Sequence, residues 1–375
     1  MNIGMVCYPT FGGSGIVAAE LGNELSRRGH HIHFISYDVP ARIFPVGKRI
    51  FFHEVKVFAY PLFQYPPYSL ALATKIAEVA EHEKLDLVHV HYAIPHAISA
   101  LLARDMLRRK KISLKVITTL HGTDITLVGN DRSYLEVTRY GIELSDTVTA
   151  VSQYLRQVTL DTFAIATPIE VIGNFLPRDI LQQAAGNGEP WFPTDPTAKV
   201  LVHISNFRPV KRIEDVLAIF FKVRDRLPAK LVFVGDGPER SKAEEICRER
   251  NACCDVLFLG KQANVAEILN SAHLLLLPSA SESFGLVALE AMGCGVPVIG
   301  TNAGGLPEVV THGATGFLSP IGDVNSMAAN ALRLLGNEDL RRAMGEAGHR
   351  VAREQFSPDS IVNLYEQLYR RLLIQ

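Results

Sequence analysis

The chain has 375 residues, 47% of them apolar and 21% charged, and a formal net charge of −1. A single core seldom grows past roughly 250–300 residues, so this length predicts two domains. The near-neutral balance offers no field for nucleic acid or an anionic membrane surface, and no apolar run approaches the roughly 20 residues of a membrane span. The start, Met1-Asn2-Ile3-Gly4-Met5-Val6, lacks the basic opening and apolar stretch of a signal peptide. The five cysteines include no C-x-x-C pair. Reduced, buried thiols in a cytoplasmic protein are the expectation.

Apolar runs of strand length alternate with amphipathic helical patterns, which predicts parallel sheets built from βα units. The first series reads as strands at Ile3–Val6, Ile32–Ile35, Leu87–Val90, Val116–Thr119 and Thr147–Val151. Its helices fall at Gly15–Arg28, Ser69–Glu83, Ala97–Arg109, Tyr134–Leu144 and Gln153–Leu160. The Gly- and Pro-rich stretch 186–196 carries no period and marks an inter-domain region. The second series has strands at Lys199–Ser205, Lys230–Val234, Asp255–Leu259, Leu274–Leu277, Pro297–Gly300 and Gly316–Leu318. Its helices fall near Ile213–Asp225, Ser241–Arg250, Val265–Ser271, Gly285–Met292, Met327–Leu335 and Asp339–Arg353. The reading is α/β: two Rossmann-like, doubly wound domains over residues 1–172 and 173–357, with a final helix at about 358–375 packing back on the first. The two are expected to face a central cleft at their strand carboxyl ends, where open parallel sheets bind ligands.

The most informative motif is Glu282-Ser283-Phe284-Gly285-Leu286-Val287-Ala288-Leu289-Glu290. Glu282 would sit in the loop after a buried strand, and Glu290 about two turns into the next helix. Two carboxylates in such a place suit a ligand rich in hydroxyls, because each accepts two O–H bonds. An ordinary helix-start carboxylate beside a solvated one is the alternative. Asn206-Phe207-Arg208-Pro209-Val210-Lys211-Arg212 follows the first strand of the second domain. There Arg208 and Lys211 bracket a proline-stiffened turn that could aim two cations at one diphosphate; a solvated basic turn is the simpler reading. Gly12-Gly13-Ser14-Gly15 sits between the first strand and its helix. It fits a tight turn as well as an anion cradle.

Gly235-Asp236-Gly237-Pro238-Glu239 reads chiefly as a turn device, and Ala303-Gly304-Gly305 as a close-approach loop. His121-Gly122-Thr123-Asp124 ends a strand of the first domain; His121 could bind a sugar hydroxyl, assist proton movement, or be structural. His89, His91 and His96 invite a metal, but the further ligands expected for zinc are not evident. No metal and no cofactor is expected.

Taken together, these residues resemble the retaining glycosyltransferases of family 4, which have two Rossmann-like domains in the GT-B architecture and use a sugar nucleotide. The resemblance covers almost the whole chain. Segments 7–15, 63–68 and 89–97 are similar to those members that transfer N-acetylglucosamine from UDP-N-acetylglucosamine (UDP-GlcNAc) to the hydroxyl of L-malate, the first step of bacillithiol synthesis. The resemblance implies that Arg208 and Lys211 neutralise the UDP diphosphate with help from the backbone at Gly13 and Ser14. It implies that Glu290 holds the ribose, and that Glu282 binds the transferred sugar with His121 and the backbone of Phe284, Gly285 and Leu286. Gly260, Lys261 and Gln262 are assigned to the uracil. Ser14, Tyr92, Thr118, Gln153 and Arg156 are the candidates for the malate carboxylates, with Arg156 favoured by a cation and a helix start together.

Front-face attack by the malate hydroxyl, with the departing phosphate taking its proton, then needs no metal. Rival readings are the same transfer to inositol or a lipid-linked sugar, a UDP-sugar epimerase, and a non-catalytic UDP-sugar sensor. The self-association state is left open, a homo-oligomer included.

Overall fold

The computed structural model describes residues 1–10, 12–43, 48–58, 60–183, 197–262 and 264–374. The stretch 186–196, read above as inter-domain, lies outside the described residues. The chain divides into two compact units, Met1–Asn174 with Asp359–Gln375, and Phe175–Pro358.

Unit one runs β1 (Asn2–Val6), α1 (Ser14–Arg27), β2 (His31–Ser36), β3 (Ile50–Glu54), α2 (Tyr68–His82), β4 (Leu87–His91), α3 (Ile98–Arg108), β5 (Lys115–Leu120), α4 (Thr123–Thr126), α5 (Leu135–Leu144), β6 (Thr147–Ala150), α6 (Gln153–Phe163) and β7 (Ile169–Val171). Unit two runs α7 (Arg178–Gln183), β8 (Lys199–Ile204), α8 (Ile213–Arg224), β9 (Ala229–Val234), α9 (Arg240–Glu249), β10 (Val256–Phe258), α10 (Ala266–Asn270), β11 (Leu274–Leu277), α11 (Leu286–Gly293), β12 (Val298–Thr301), β13 (Gly316–Ser319), α12 (Val324–Leu335) and α13 (Glu338–Gln355). The last helix, α14 (Pro358–Ile374), belongs to unit one. It is tied there through Arg28, which donates to Glu366 at 2.8 Å, and through Tyr369, whose hydroxyl meets His89 Nδ1 at 2.8 Å.

Both sheets are wholly parallel, in the orders β3-β2-β1-β4-β5-β6-β7 and β10-β9-β8-β11-β12-β13. The central strands are enclosed on both faces, as helix-covered parallel strands must be: β11 is Leu274-Leu275-Leu276-Leu277, all buried. In each sheet the order reverses beside the first strand, between β1 and β4 in unit one and between β8 and β11 in unit two. Loops leaving such a reversal diverge and open a ligand crevice at the strand carboxyl ends.

Two strands escaped the sequence reading, β3 and β7. Both are sheet edges, where short, half-polar runs carry little apolar period. The cysteines also depart from expectation. Cys7 and Cys247 are buried, but Cys253 and Cys254 are exposed in the turn before β10, and all five are free. Among the described residues, no helix is long and apolar enough to cross a membrane.

Candidate active site

In unit two, the loops leaving β8 and β11 bring the predicted charges together. Phe207 follows β8 with φ 41°, a strained value for a bulky residue. Burial of its ring, 5.4 Å from Phe233, holds it there. The turn Pro209–Lys211 follows, and Ala280 N donates to Val210 O at 2.8 Å, which fastens this loop to the one after β11. Lys211 Nζ consequently donates to Glu282 Oε1 at 2.6 Å, both side chains being largely covered. Arg208 is exposed beside them, and Arg212 is engaged by Asp215 at 2.5 Å.

Below the pair, buried His203 donates from Nδ1 to Leu276 O at 2.8 Å and meets Ser205 Oγ at 2.8 Å through Nε2. Burial pushes its pKa down to about 4, so it is a neutral brace at neutral pH.

The loop after β12 clasps Glu282 from the other side. Gly305 N donates to Glu282 O at 2.6 Å. Gly304 has φ 66°, and a Cβ there would lie 2.4 Å from Glu282 O and 2.7 Å from Glu282 N. Gly304 is therefore required by both conformation and space.

Gly285, at φ 96°, opens α11. The first N–H groups of that helix lack carbonyl partners inside it, which suits an anion. The Phe284 ring is buried edge-on to Phe356 at 5.8 Å, so only its backbone is offered to a ligand. Glu290 is buried and lies one turn into α11 rather than two, because the helix starts at Leu286. At the end of β10, Gly260 has φ 68° and its carbonyl accepts from Gly235 N at 2.7 Å. Gln262 folds back to donate to Leu259 O at 2.8 Å, while Lys261 is exposed. Gly235 acts as the turn device expected: a Cβ on it would lie 1.8 Å from Ser205 O.

In unit one, Gly13 (φ 57°) leads into α1, whose first residue, Ser14, is buried. A Cβ on Gly15 would lie 2.6 Å from Tyr8 O, so this glycine lets α1 start directly against the loop after β1. The loops after β4 and β5 are joined by Asp124. Its Oδ1 accepts from His121 N at 3.2 Å and Gly122 N at 2.8 Å, and its Oδ2 from Ala93 N at 3.0 Å. Burial raises the pKa of Asp124 to about 6 against the pull of these donors.

His89, His91 and His121 form a stack with ring centroids 4.6 and 5.1 Å apart. His89 Nε2 meets Thr119 Oγ1 at 2.6 Å, and His91 Nδ1 meets His121 Nε2 at 2.8 Å. Burial lowers the pKa of His89 and of His121 to about 3. His121 is therefore a neutral hydrogen-bonding ring, unsuited to carrying a proton as a cation near neutral pH.

The acceptor candidates separate. Tyr92, at φ 98°, lies with its ring 5.5 Å from His121 and 5.6 Å from Tyr8. Gln153 opens α6, capped by Ser152, which accepts from Leu155 N at 3.0 Å. Arg156, in the first turn of α6, donates from Nε to the carbonyl of Ile169 at the start of β7, at 3.2 Å. Thr118 is corrected. It is fully buried within β5, and its hydroxyl pairs with Ser145 Oγ at 2.7 Å, which places it inside the packed layer rather than in the loop after the strand.

Two further residues carry unpartnered polar atoms. His96 donates from Nδ1 to His91 O at 2.5 Å, so its buried Nε2 is a bare acceptor without a partner among the described residues. The buried hydroxyl of Tyr68 is likewise unpartnered. The His96 ring is 4.5 Å from Tyr8. Both residues stand in the segments that carried the closer resemblance, 63–68 and 89–97, which was the available signal.

The model of "Glycosyltransferase Family 4" matches residues 11–179, and that of "Glycosyl transferases group 1" matches residues 192–351. The chain is 48% identical over its full length, and over 97% of the relative, to N-acetyl-alpha-D-glucosaminyl L-malate synthase of Bacillus anthracis. It is 31% identical to an uncharacterized glycosyltransferase of Methanocaldococcus jannaschii, over 78% of each chain. Among solved structures, sucrose-phosphate synthase from Thermosynechococcus elongatus superposes with a TM-score of 0.81 at 23% identity, covering 100% of this chain and 99% of that one. Anabaena HepE in complex with UDP-glucose gives 0.78 at 21%, covering 100% and 99%. These likenesses show the GT-B fold. The chain belongs to the family 4 glycosyltransferases.

Proposed function

We propose that the protein transfers N-acetylglucosamine from UDP-GlcNAc to the hydroxyl of L-malate, with retention of the anomeric configuration and without a catalytic metal. The observation that carries the reading is the 48% identity along the whole chain to a protein of that name. The unit-two geometry supplies the chemistry.

As the anomeric bond stretches, negative charge builds on the departing diphosphate. Lys211 and Arg208, with the open N–H groups at the start of α11, are the groups to neutralise it. Glu282 pairs with Lys211 at 2.6 Å. Binding exchanges part of that contact for phosphate and leaves Glu282 to accept from sugar hydroxyls. Glu290 holds the ribose, and Gly260, Lys261 and Gln262 border the uracil.

In unit one, Arg156 and the start of α6 take a malate carboxylate, with Gln153, Tyr92 and Ser14 supplying further hydrogen bonds. The departing phosphate takes the proton of the malate hydroxyl as the new bond forms at the same face of the sugar.

Mass spectrometry of the purified protein with UDP-GlcNAc and L-malate, with and without a chelator, tests this. A product at the mass of N-acetylglucosaminyl-malate, formed equally with chelator and of α configuration by its proton coupling, is expected. UDP-GlcNAc left intact with malate but consumed with inositol would discard the acceptor and keep the family.

A further inference from the structure

A second cluster of ligating side chains lies on the α2 face of unit one, at the β3 edge of the sheet. It is apart from the loops that carry Ser14, Tyr92 and His121. Strand pairing sets His33 of β2 opposite Phe51 and Ile35 opposite His53 of β3, so the two histidines are diagonal neighbours on one face. His33 Nδ1 and His53 Nε2 are 3.0 Å apart, and the Glu83 carboxylate, at the end of α2, brings the three ligand atoms within 4.8 Å of one another.

Each part is held in place. The His33 ring is buried and stacks on Phe51 at 4.8 Å. The turn carrying Glu83 is fastened by Asn2, whose Nδ2 donates to Glu83 O at 3.0 Å. Glu83 is exposed, which leaves an entry path from solvent. The carboxyl end of α2 also points partial negative charge toward this corner.

We propose that His33 Nδ1, His53 Nε2 and the Glu83 carboxylate bind one zinc-class divalent ion, with water as the fourth ligand. Two imidazoles and a carboxylate are a donor set suited to zinc. Tetrahedral ligation at about 2.0–2.1 Å places two nitrogens about 3.3 Å apart, so the pair has only to open by about 0.3 Å. One of the two facing ring nitrogens carries the proton of their mutual hydrogen bond, and metal binding shifts it to the other nitrogen of that ring. The ion would staple edge strand β3 to β2 and to the end of α2. It has no part in sugar transfer.

The test is a titration of the metal-stripped full-length protein with Zn²⁺ by calorimetry, with Co²⁺ absorption reporting tetrahedral ligation. One ion per chain is expected. The unfolding midpoint should rise by about 5 °C or more at a Zn²⁺ concentration about 100-fold above Kd. His53→Ala and Glu83→Gln, both at accessible positions, should each weaken binding by about tenfold or more and remove most of that rise. Failure to bind one equivalent, or binding and a midpoint shift unchanged in both variants, overturns the proposal.

Discussion

The two sheet reversals use opposite chemistry. At the β8/β11 reversal of unit two, full charges meet across two loops, the largely covered Lys211 against Glu282, with Arg208 exposed on the same turn as Lys211. At the β1/β4 reversal of unit one, the polar groups are neutral rings and hydroxyls packed on one another, with one buried carboxylate accepting three backbone N–H bonds. The Lys211–Glu282 pair joins two side chains from separate loops, and a phosphate can replace the carboxylate as the partner of the lysine. The buried bonds around Asp124 and the histidine stack cannot be rearranged so readily. Full charges thus meet at the one reversal and neutral rings and hydroxyls at the other.

The sharpest way to break this comparison is Lys211→Ala, which should cut turnover at least about 100-fold, as losing a preorganised charge stabiliser does. Transfer within about threefold of the parent would remove Lys211 from the chemistry. The unit-one counterpart is acid. His89, His96 and His121, lowered by burial to about 3, 4 and 3, titrate near 6.5 when unfolded. Protons therefore favour the unfolded chain, and stability present above pH 6.5 is lost as pH falls toward 4, by up to about 1.36 kcal/mol per pH unit for each histidine. Asp124, raised to about 6, acts in the opposite sense; its contribution is present below pH 3.8 and lost as pH rises through 6, which offsets part of the fall. Urea midpoints at pH 7, 6 and 5 should decline steadily, and a flat series would mean that the stack is not buried and neutral.

Smaller effects sharpen the picture. Gly304→Ala forces the Glu282 backbone to move, and should lower transfer about tenfold while costing about 1–3 kcal/mol of stability. Unchanged kinetics would show that Glu282 needs no such clasp. Arg156→Ala should raise the malate KM about tenfold and leave that of UDP-GlcNAc alone, since a charge-assisted hydrogen bond is lost on the acceptor side only. A rise in both would dissolve the division of labour. Thr118→Val should cost about 1 kcal/mol through the lost Ser145 bond and leave the malate KM unchanged. A raised KM there would restore Thr118 as an acceptor residue.

Much of the fold was readable because it rests on short-range pattern. The central strands are continuous apolar runs, and Leu274–Leu277 could hardly be anything else between a helix and a polar turn. Gly12–Gly15, the Pro209 turn and the Phe284-Gly285 helix start were visible as local backbone requirements. The edge strands β3 and β7 were not, since Ile50–Glu54 mixes apolar and polar residues and Ile169–Val171 has only three. The burial of Thr118 was not legible, because a position near a strand end says nothing about which face a side chain takes. His96 looked like a metal candidate because a histidine count carries no tautomer, and only its bond to His91 O exposes a bare acceptor.

Sequence alone thus determined the alternation of strand and helix, the presence of two parallel-sheet domains, and membership of the family, all of which depend on residues near one another in the chain. Tertiary structure decided which distant groups meet. Lys211 and Glu282 are 71 residues apart, and become partners because β8 and β11 are neighbours in the sheet. His33, His53 and Glu83 converge because β3 pairs with β2 and α2 ends over the same face. Strand order is a property of the whole packed sheet, set by which crossovers bury the most apolar surface, and no local spacing encodes it.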